Sequence, residues 1–306
     1  MQKSDLRLGA ENLLITCGGL SPGDRLLILH EEAGQAYYDP ALIETLLSCA
    51  TDLGIRARRR AIPFDPMGGQ IPRDLIADMK RAERTVFLSR MGDQIRFDAS
   101  LAELHPIMTY ALDLDMLASG FGRAHYAGFV ALKNAVNALF AGADTIRVRC
   151  PLGTDFSGPG PGLCQGGAAD VSVTRFPMSV FAPVPARGFS GVVVQDGFLV
   201  GTGSKYYTPY GCDLQQPLSV HFTDTRLSHF SGHAMDVHCA QMHYEKVGQM
   251  FELDPMTMHS WHAGIHPGCA YTAPAAENFE RWSGGAFGNP RLMHFHTCGH
   301  YAPGEI

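Results

Sequence analysis

Between Arg25 and Cys150 short apolar runs alternate with amphipathic stretches, and this alternation limits the first half to strands joined by helices. Arg25 to His30 (RLLILH) follows the turn residues Ser21-Pro22-Gly23-Asp24 and reads as a strand. Pro40 opens an amphipathic stretch, Ala41 to Asp52, that stops at Gly54, which is helix-start and helix-stop chemistry. Further strands are expected at Ile55 to Ile62, Thr85 to Ser89, near Ile107 to Ala111, and at Thr145 to Cys150. Helices are expected at Arg73 to Arg81, started by Pro72, and at Ala124 to Ala141. Strands separated by helices imply a mostly parallel sheet covered on both faces.

The texture changes after Cys150. Pro151 to Gly167 is rich in glycine and proline, and short strands with turns follow: Val171 to Thr174, Gly191 to Gln195, the turn Asp196-Gly197, Phe198 to Gly201 and Leu218 to Thr223. One helix is expected inside this part, Ala234 to Met250. The fold class is therefore α/β: an N-terminal, mostly parallel α/β sandwich domain over 1–150, followed by a β-rich α+β domain over 151–306.

Composition excludes several functions. With 306 residues, 45% hydrophobic and 18% charged, the chain can bury one large core or two modest ones, so disorder is excluded. The net charge is -6 and no basic run exceeds Arg58-Arg59-Arg60, so the surface that neutralises phosphates in nucleic-acid binding is missing. No stretch approaches the about 18 apolar residues of a membrane helix. The start, Met1 to Asp5, runs into polar residues instead of a signal-peptide apolar core, and a cytoplasmic protein is expected. The eight cysteines form no CxxC pair and read as buried reduced thiols.

Histidine is the skewed residue. Of 14, all but His30, His105 and His125 fall at or beyond His221. Glycine-rich loops carry less chemistry: Gly158-Pro159-Gly160-Pro161-Gly162 has prolines where a phosphate cradle needs N–H donors, and no GxGxxG, GxxxxGK[ST] or GxSxG motif occurs. The strongest cluster is Leu292-Met293-His294-Phe295-His296-Thr297-Cys298-Gly299-His300-Tyr301. On a strand, period two puts His294 and His296 on one face, so two neutral imidazoles can converge on iron, zinc, cobalt or nickel. A hydrogen-bonded pair at a strand edge is the other reading of a bare HxH. In a second cluster, His259 to Gly268, His262 and His266 flank small residues, and either can supply a third ligand. His229, His233, His238 and His243 form no HExxH and read as surface or core histidines.

Several stretches together resemble one superfamily, the aminopeptidase T-type metallopeptidases and their relatives, the 2,5-dihydroxypyridine 5,6-dioxygenases. They are Glu11 to Leu14 with Ser21 to Asp24, the junction Arg147 to Asp155, Phe176 to Pro183 leading to Gly191 and Asp196-Gly197, Gly264 to Gly268, and the segment through His294 and His296. The resemblance spans most of the chain. It implies a metal site, and it leans towards the dioxygenase branch. A first peptidase glutamate is expected where Ser179 and Val180 stand, and a second falls on His262, where the dioxygenase branch has an iron-ligating histidine. A histidine and a tyrosine seven residues apart match His294 and Tyr301. Both branches use a closing His-x-Asp pair, and none occurs up to Ile306.

The resemblance thus implies an Fe(II)-dependent enzyme whose ligand set is rebuilt from His262, His294 and His296, with His300 or Glu305, or with a carboxylate from Glu277 or Glu280. A ligand from another subunit and a metal-free site are the alternatives. The expected reaction is dioxygen-dependent cleavage of a small hydroxylated aromatic or N-heteroaromatic ring. His266, His300 and Tyr301 are the candidate acid/base groups, and Trp261, Trp282, Phe287 and Phe295 the candidate ring-packing residues. The alternatives are a zinc, cobalt or manganese aminopeptidase or amidase, and a metal-free binding module. A homo-oligomer is expected from the resemblance.

Overall fold

The computed structural model describes residues 3–162, 171–201, 203–269 and 271–299. Strands β1 (Arg25–Glu31), β2 (Arg56–Ile62), β3 (Arg84–Leu88) and β4 (Pro106–Thr109) lie parallel in one sheet, and β7 (Thr174–Phe176) joins its edge, in the order β2-β1-β3-β4-β7. Leu26 to Leu29 are all buried, as expected for a strand covered on both faces. Helices α1 (Lys3–Glu11), α2 (Ala41–Asp52) and α3 (Arg73–Met79) alternate with the first strands. In α2 the buried Leu42, Ile43, Leu46, Cys49 and Ala50 form one helical stripe, and Gly54, at φ +71°, ends the turn in a conformation that favours glycine.

Four further helices complete this half: α4 (Met91–Gln94), α5 (Leu114–Ala118), α6 (Gly120–Arg123) and α7 (Tyr126–Ala141). Phe87, Phe121 and Phe176 are fully buried in its core.

A second sheet is antiparallel. It contains β5 (Thr145–Arg149), β6 (Asp155–Pro159), β9 (Ser190–Gln195), β12 (Leu218–Thr223) and β13 (Arg226–Ser231), in the order β13-β12-β9-β6-β5. Its core gathers Phe156, Phe189, Val220, Phe222 and Trp261. A third, small sheet has the order β15-β14-β8, from β8 (Val184–Pro185), β14 (Ser260–Ala263) and β15 (Met293–His296). β10 (Phe198–Val200) and β11 (Gly211–Asp213) form an antiparallel pair, α8 (Ala234–Met250) and α9 (Phe279–Ala286) are the α-helices of this half, and a π-helical turn at Asn12–Cys17 and 3-10 turns at Ala99–Leu104 and Ala275–Glu277 complete the described elements.

Two expectations are corrected. The strand at Thr145 does not extend the parallel sheet; as β5 it pairs antiparallel with β6. Its burial alternates, with Arg147 and Arg149 exposed and within 2.5 and 3.9 Å of Asp155, which suits a half-solvated edge and not a doubly covered strand. The strand expected at Val171 to Thr174 is β7, displaced to Thr174–Phe176, and it belongs to the parallel sheet. The two sheets therefore interleave along the sequence around residue 150. No disulfide joins the cysteines among the described residues, and no described helix is long and apolar enough to cross a membrane.

Phe156 is fully buried with its ring 5.0 Å from Phe189 and 5.8 Å from Phe222. Phe156→Ala is expected to lower stability by about 3–5 kcal/mol. Leu139→Ala, at a side chain 75% exposed, is expected to change it by less than about 0.5 kcal/mol. Urea denaturation measures both, and equal midpoints for the two variants would contradict this core.

Candidate metal and substrate site

β14 and β15 run antiparallel with His262 opposite His294 and Ser260 opposite His296. Side chains alternate across a strand, so His262, His294 and His296 share one face while Trp261 and Phe295 share the other. The aromatic face is anchored. Trp261 meets Phe140 and Phe189 at ring separations of 5.7 and 5.8 Å, and Phe295 sits edge-on to Phe222 at 5.5 Å. The opposite face then has no choice but to present imidazoles, with ring centroids 5.2 Å apart for His262 and His294 and 5.1 Å for His262 and His296.

All three imidazoles are held neutral. Burial pushes His262 well below the usual histidine range, and His296, His294 and Arg175 add to the shift. Burial, then His294 and Arg96, pushes His296 down to about 3. His294 is lowered by burial. The Phe287 carbonyl lies 2.8 Å from His294 Nε2 and can only accept, which places the proton there and leaves the Nδ1 lone pair available. Nδ1 of His262 is buried and has no hydrogen-bond partner.

These imidazoles line a cavity of about 720 Å³. The parallel sheet supplies the wall that carries Asp93, Arg96, Tyr110 and Arg175, at or just beyond its strands. There the Tyr110 hydroxyl donates to Asp93 at 3.0 Å, and Arg96 lies 3.4 Å from the same carboxylate. Tyr206 and Tyr210, stacked at 5.3 Å, line another part, together with Trp282 and Glu280 of α9. Glu280 is held by the buried Arg90 at 2.6 Å, and Arg90 also pairs with Glu31 at 2.9 Å.

The structure therefore brings His262, His294 and His296 together, and the HxH strand is seen as β15. It does not bring His266 to them. That side chain is 1% exposed, stacked 3.9 Å from Phe129 and edge-on to Phe121 at 4.9 Å, and its Nδ1 accepts from the Gly268 amide. β14 ends at Ala263 and the chain turns away at Gly264, whose Cβ position would lie 2.2 Å from the Gly288 carbonyl, so His266 falls into the first core. His300, Tyr301 and Glu305 lie outside the described residues. Glu277 is exposed and Trp261 belongs to the second core; Phe295 packs against that core and also reaches the cavity lining, and Trp282 and Phe287 line the cavity.

Sequence reasoning missed Asp93, Arg96, Tyr110, Arg175 and His243, which also lines the cavity. The tendency of ligands to bind at the carboxyl ends of parallel strands was the signal for Asp93 and Tyr110, which follow β3 and β4. No motif marks the others.

Neutral imidazole nitrogen is a donor for iron, zinc, cobalt or nickel. Two imidazoles ligating one ion at about 2.1 Å have ring centroids about 5 Å apart, a separation that both pairs formed by His262 have and that cross-strand neighbours have in general. His294 and His296, two residues apart on one strand, are about 7 Å apart along it, with His262 on the neighbouring strand opposite His294. Among the described residues no group of three or more His, Cys, Asp and Glu side chains is arranged around one ion. The donors fit a metal in kind and in pairs, and a complete shell needs a further ligand or a rotated ring.

No protein-family model and no curated protein matches the chain. Solved structures do match. The structure of 2,5-dihydroxypyridine dioxygenase from Pseudomonas putida KT2440 aligns with a TM-score of 0.61, covering 94% of this chain and 83% of that one at 13% identity. Wild-type AmpT from Thermus thermophilus aligns with a TM-score of 0.50, covering 97% of this chain and 93% of that one at 12% identity. The chain has the fold of these two proteins. The resemblance in sequence thus extends to the architecture, with the higher score on the dioxygenase side.

Burial pushes His266 down to about 4. The folded protein keeps this imidazole neutral while the unfolded chain takes up a proton near pH 6.5, so its contribution is intact above about pH 6.5 and is lost as pH falls towards about 4. His266→Gln is expected to flatten the decline of stability across that window by up to about 1.4 kcal/mol per pH unit. Denaturant midpoints measured from pH 7 to 4 check it, and parallel slopes for wild type and variant would contradict it.

Proposed function

We propose that the chain is a mononuclear iron(II) enzyme that uses dioxygen to open a small hydroxylated aromatic or N-heteroaromatic ring. The observation that carries this reading is the wall of three neutral imidazoles, one with a buried and unpartnered nitrogen, facing a cavity lined by aromatic side chains. His262, His294 and His296 would hold the metal, and His300 or Glu305 is the proposed completing ligand. Iron, when bound, supplies the redox partner that dioxygen requires and a Lewis acid for the ring hydroxyl.

The chain's own residues bind and orient. The Phe287 carbonyl fixes the tautomer and plane of His294, the outer-shell role that metal-ligating histidines commonly need. Phe287, edge-on to Tyr110 at 4.8 Å, and Trp282 give a flat ring apolar surface on which to pack. Burial and the Asp93 charge raise the Tyr110 pKa, so its hydroxyl stays protonated and donates to Asp93. His300 and Tyr301 are the proposed acid/base groups, and His266, held against Phe129, is not. Similarity to AmpT motivates the competing reading, metal-activated hydrolysis at the same imidazoles.

Protein purified without chelator is expected to contain near-stoichiometric iron, lost in the His262→Ala, His294→Ala double variant. Anaerobically iron-loaded protein is expected to take up oxygen with at least one member of a panel of dihydroxypyridines and hydroxylated benzenoids. Zinc, cobalt or manganese with oxygen-independent release of amino acids from peptides would establish hydrolysis instead. No metal after reconstitution would overturn both readings and leave a binding module.

A further inference from the structure

We propose that Cys212 of β11 and Cys239 of α8 form a reversible disulfide, made by a hydroperoxide and opened by a small thiol, that ties the helix to the strand behind the cavity wall. The proposal goes beyond the reading of the histidine site and does not depend on the metal.

Helix α8 and the chain around β11 run side by side in opposite directions, and contacts at two ends fix their alignment. At one end Asp236 accepts from the Gln215 and Gln216 amides at 2.8 and 3.2 Å. At the other, the ring of His243 lies 6.3 Å from that of Tyr207, and the Lys246 ammonium donates to the Thr208 carbonyl. Cys239 stands between Asp236 and His243 on the helix, and Cys212 stands between Tyr207 and Gln215 on the facing segment. The two thiols meet there in a hydrogen bond. Both are free and half-buried. A disulfide asks only that sulfurs already in contact close to about 2.05 Å. His243, one turn after Cys239, lines the cavity, as does Leu199, the cross-strand partner of Cys212. The bridge therefore fixes the spacing of two elements that carry one part of the cavity wall.

Cys239 is the thiol that reacts first. Burial, then the contact with Cys239, raises the Cys212 thiol, and the thiolate is the attacking form. The Cys239 thiolate attacks one oxygen of hydrogen peroxide: an S–O bond forms, the O–O bond breaks, and the departing hydroxide takes a proton to become water. The Cys212 sulfur then displaces the hydroxyl of the sulfenic acid. The S–S bond forms, the S–O bond breaks, and a second water leaves with the Cys212 proton. Two thiols are oxidised by two electrons, and the peroxide is reduced to two waters. A small thiol reverses the bridge by exchange and is itself oxidised to a disulfide.

The test is a peptide map of the full chain, treated with hydrogen peroxide, alkylated with iodoacetamide in denaturant and digested without reductant. Trypsin cuts at Lys205, Arg226 and Lys246, so the two cysteines fall on adjacent peptides. Peroxide-treated wild type is expected to yield these peptides joined, lighter than their sum by two hydrogens, and dithiothreitol to separate them. Cys150→Ser, at an exposed thiol, is expected to leave the joined peptide unchanged. In Cys212→Ser the sulfenic acid loses its partner, and dimedone labelling of Cys239 is expected to rise at least about fivefold. Amide hydrogen exchange in α8 is expected to slow at least about threefold on oxidation.

Peroxide-treated wild type that yields Cys212 and Cys239 on separate alkylated peptides overturns the proposal, as does a bridge from either of them to another cysteine. Unchanged dimedone labelling in Cys212→Ser overturns the assignment of Cys239 as the first to react, and equal exchange of α8 in both forms overturns the tie between helix and strand. The wild-type map decides the bridge even where a variant does not fold.

Discussion

The antiparallel pairing of β14 with β15 is the contact on which the candidate site depends. Its register sets His262 opposite His294 and Trp261 opposite Phe295. A slip by one residue would exchange the two faces, putting imidazoles into the second core and aromatic rings into the cavity. The burial of Trp261 among Phe140, Phe181 and Phe189 weighs heavily against that exchange, because large aromatic side chains carry the greatest apolar area per residue. The functional face is thus held in place by the packing of the face behind it.

The electrostatic character of the site follows from the same burial. Three imidazoles held out of water lose their protons and stand as neutral rings rather than cations. Charged side chains reach the same cavity from the other sheet, Arg175 from β7 and Asp93 and Arg96 from α4 and the turn after it. One antiparallel pair supplies neutral imidazoles, and the first half of the chain supplies charged groups. The cavity where they meet is formed by segments that are far apart in the chain, from Asp93 to His296.

Local chemistry was legible in the sequence and long-range placement was not. Ala41–Asp52 and Ala234–Met250 are helices with the bounds that their stripes and flanking residues indicate, and the HxH spacing marked a strand with two histidines on one face. His262 stood beside His266 as a possible third ligand in the pattern of the residues and was singled out by the resemblance; the pairing of β14 with β15 sets it opposite His294. The segment at Thr145 shows why sheet membership escaped: a short apolar run fits a parallel or an antiparallel strand equally, and only the arginines at Arg147 and Arg149 indicate the half-solvated edge. His266 escaped for a related reason. Its distance in sequence from His262 is that of a second ligand, but the turn at Gly264 and the stacking on Phe129 send it to the other core. Arg96 and Arg175 carry no motif, since a buried guanidinium beside the cavity is a property of the assembled sheet.

X-ray absorption at the iron edge of the iron-loaded full chain tests the central claim most directly, because it counts ligand atoms without reference to a substrate. The account predicts at least two imidazole nitrogens at about 2.1 Å from the metal, with one fewer in His262→Ala. A shell of oxygen ligands alone, or one unchanged in that variant, would contradict it.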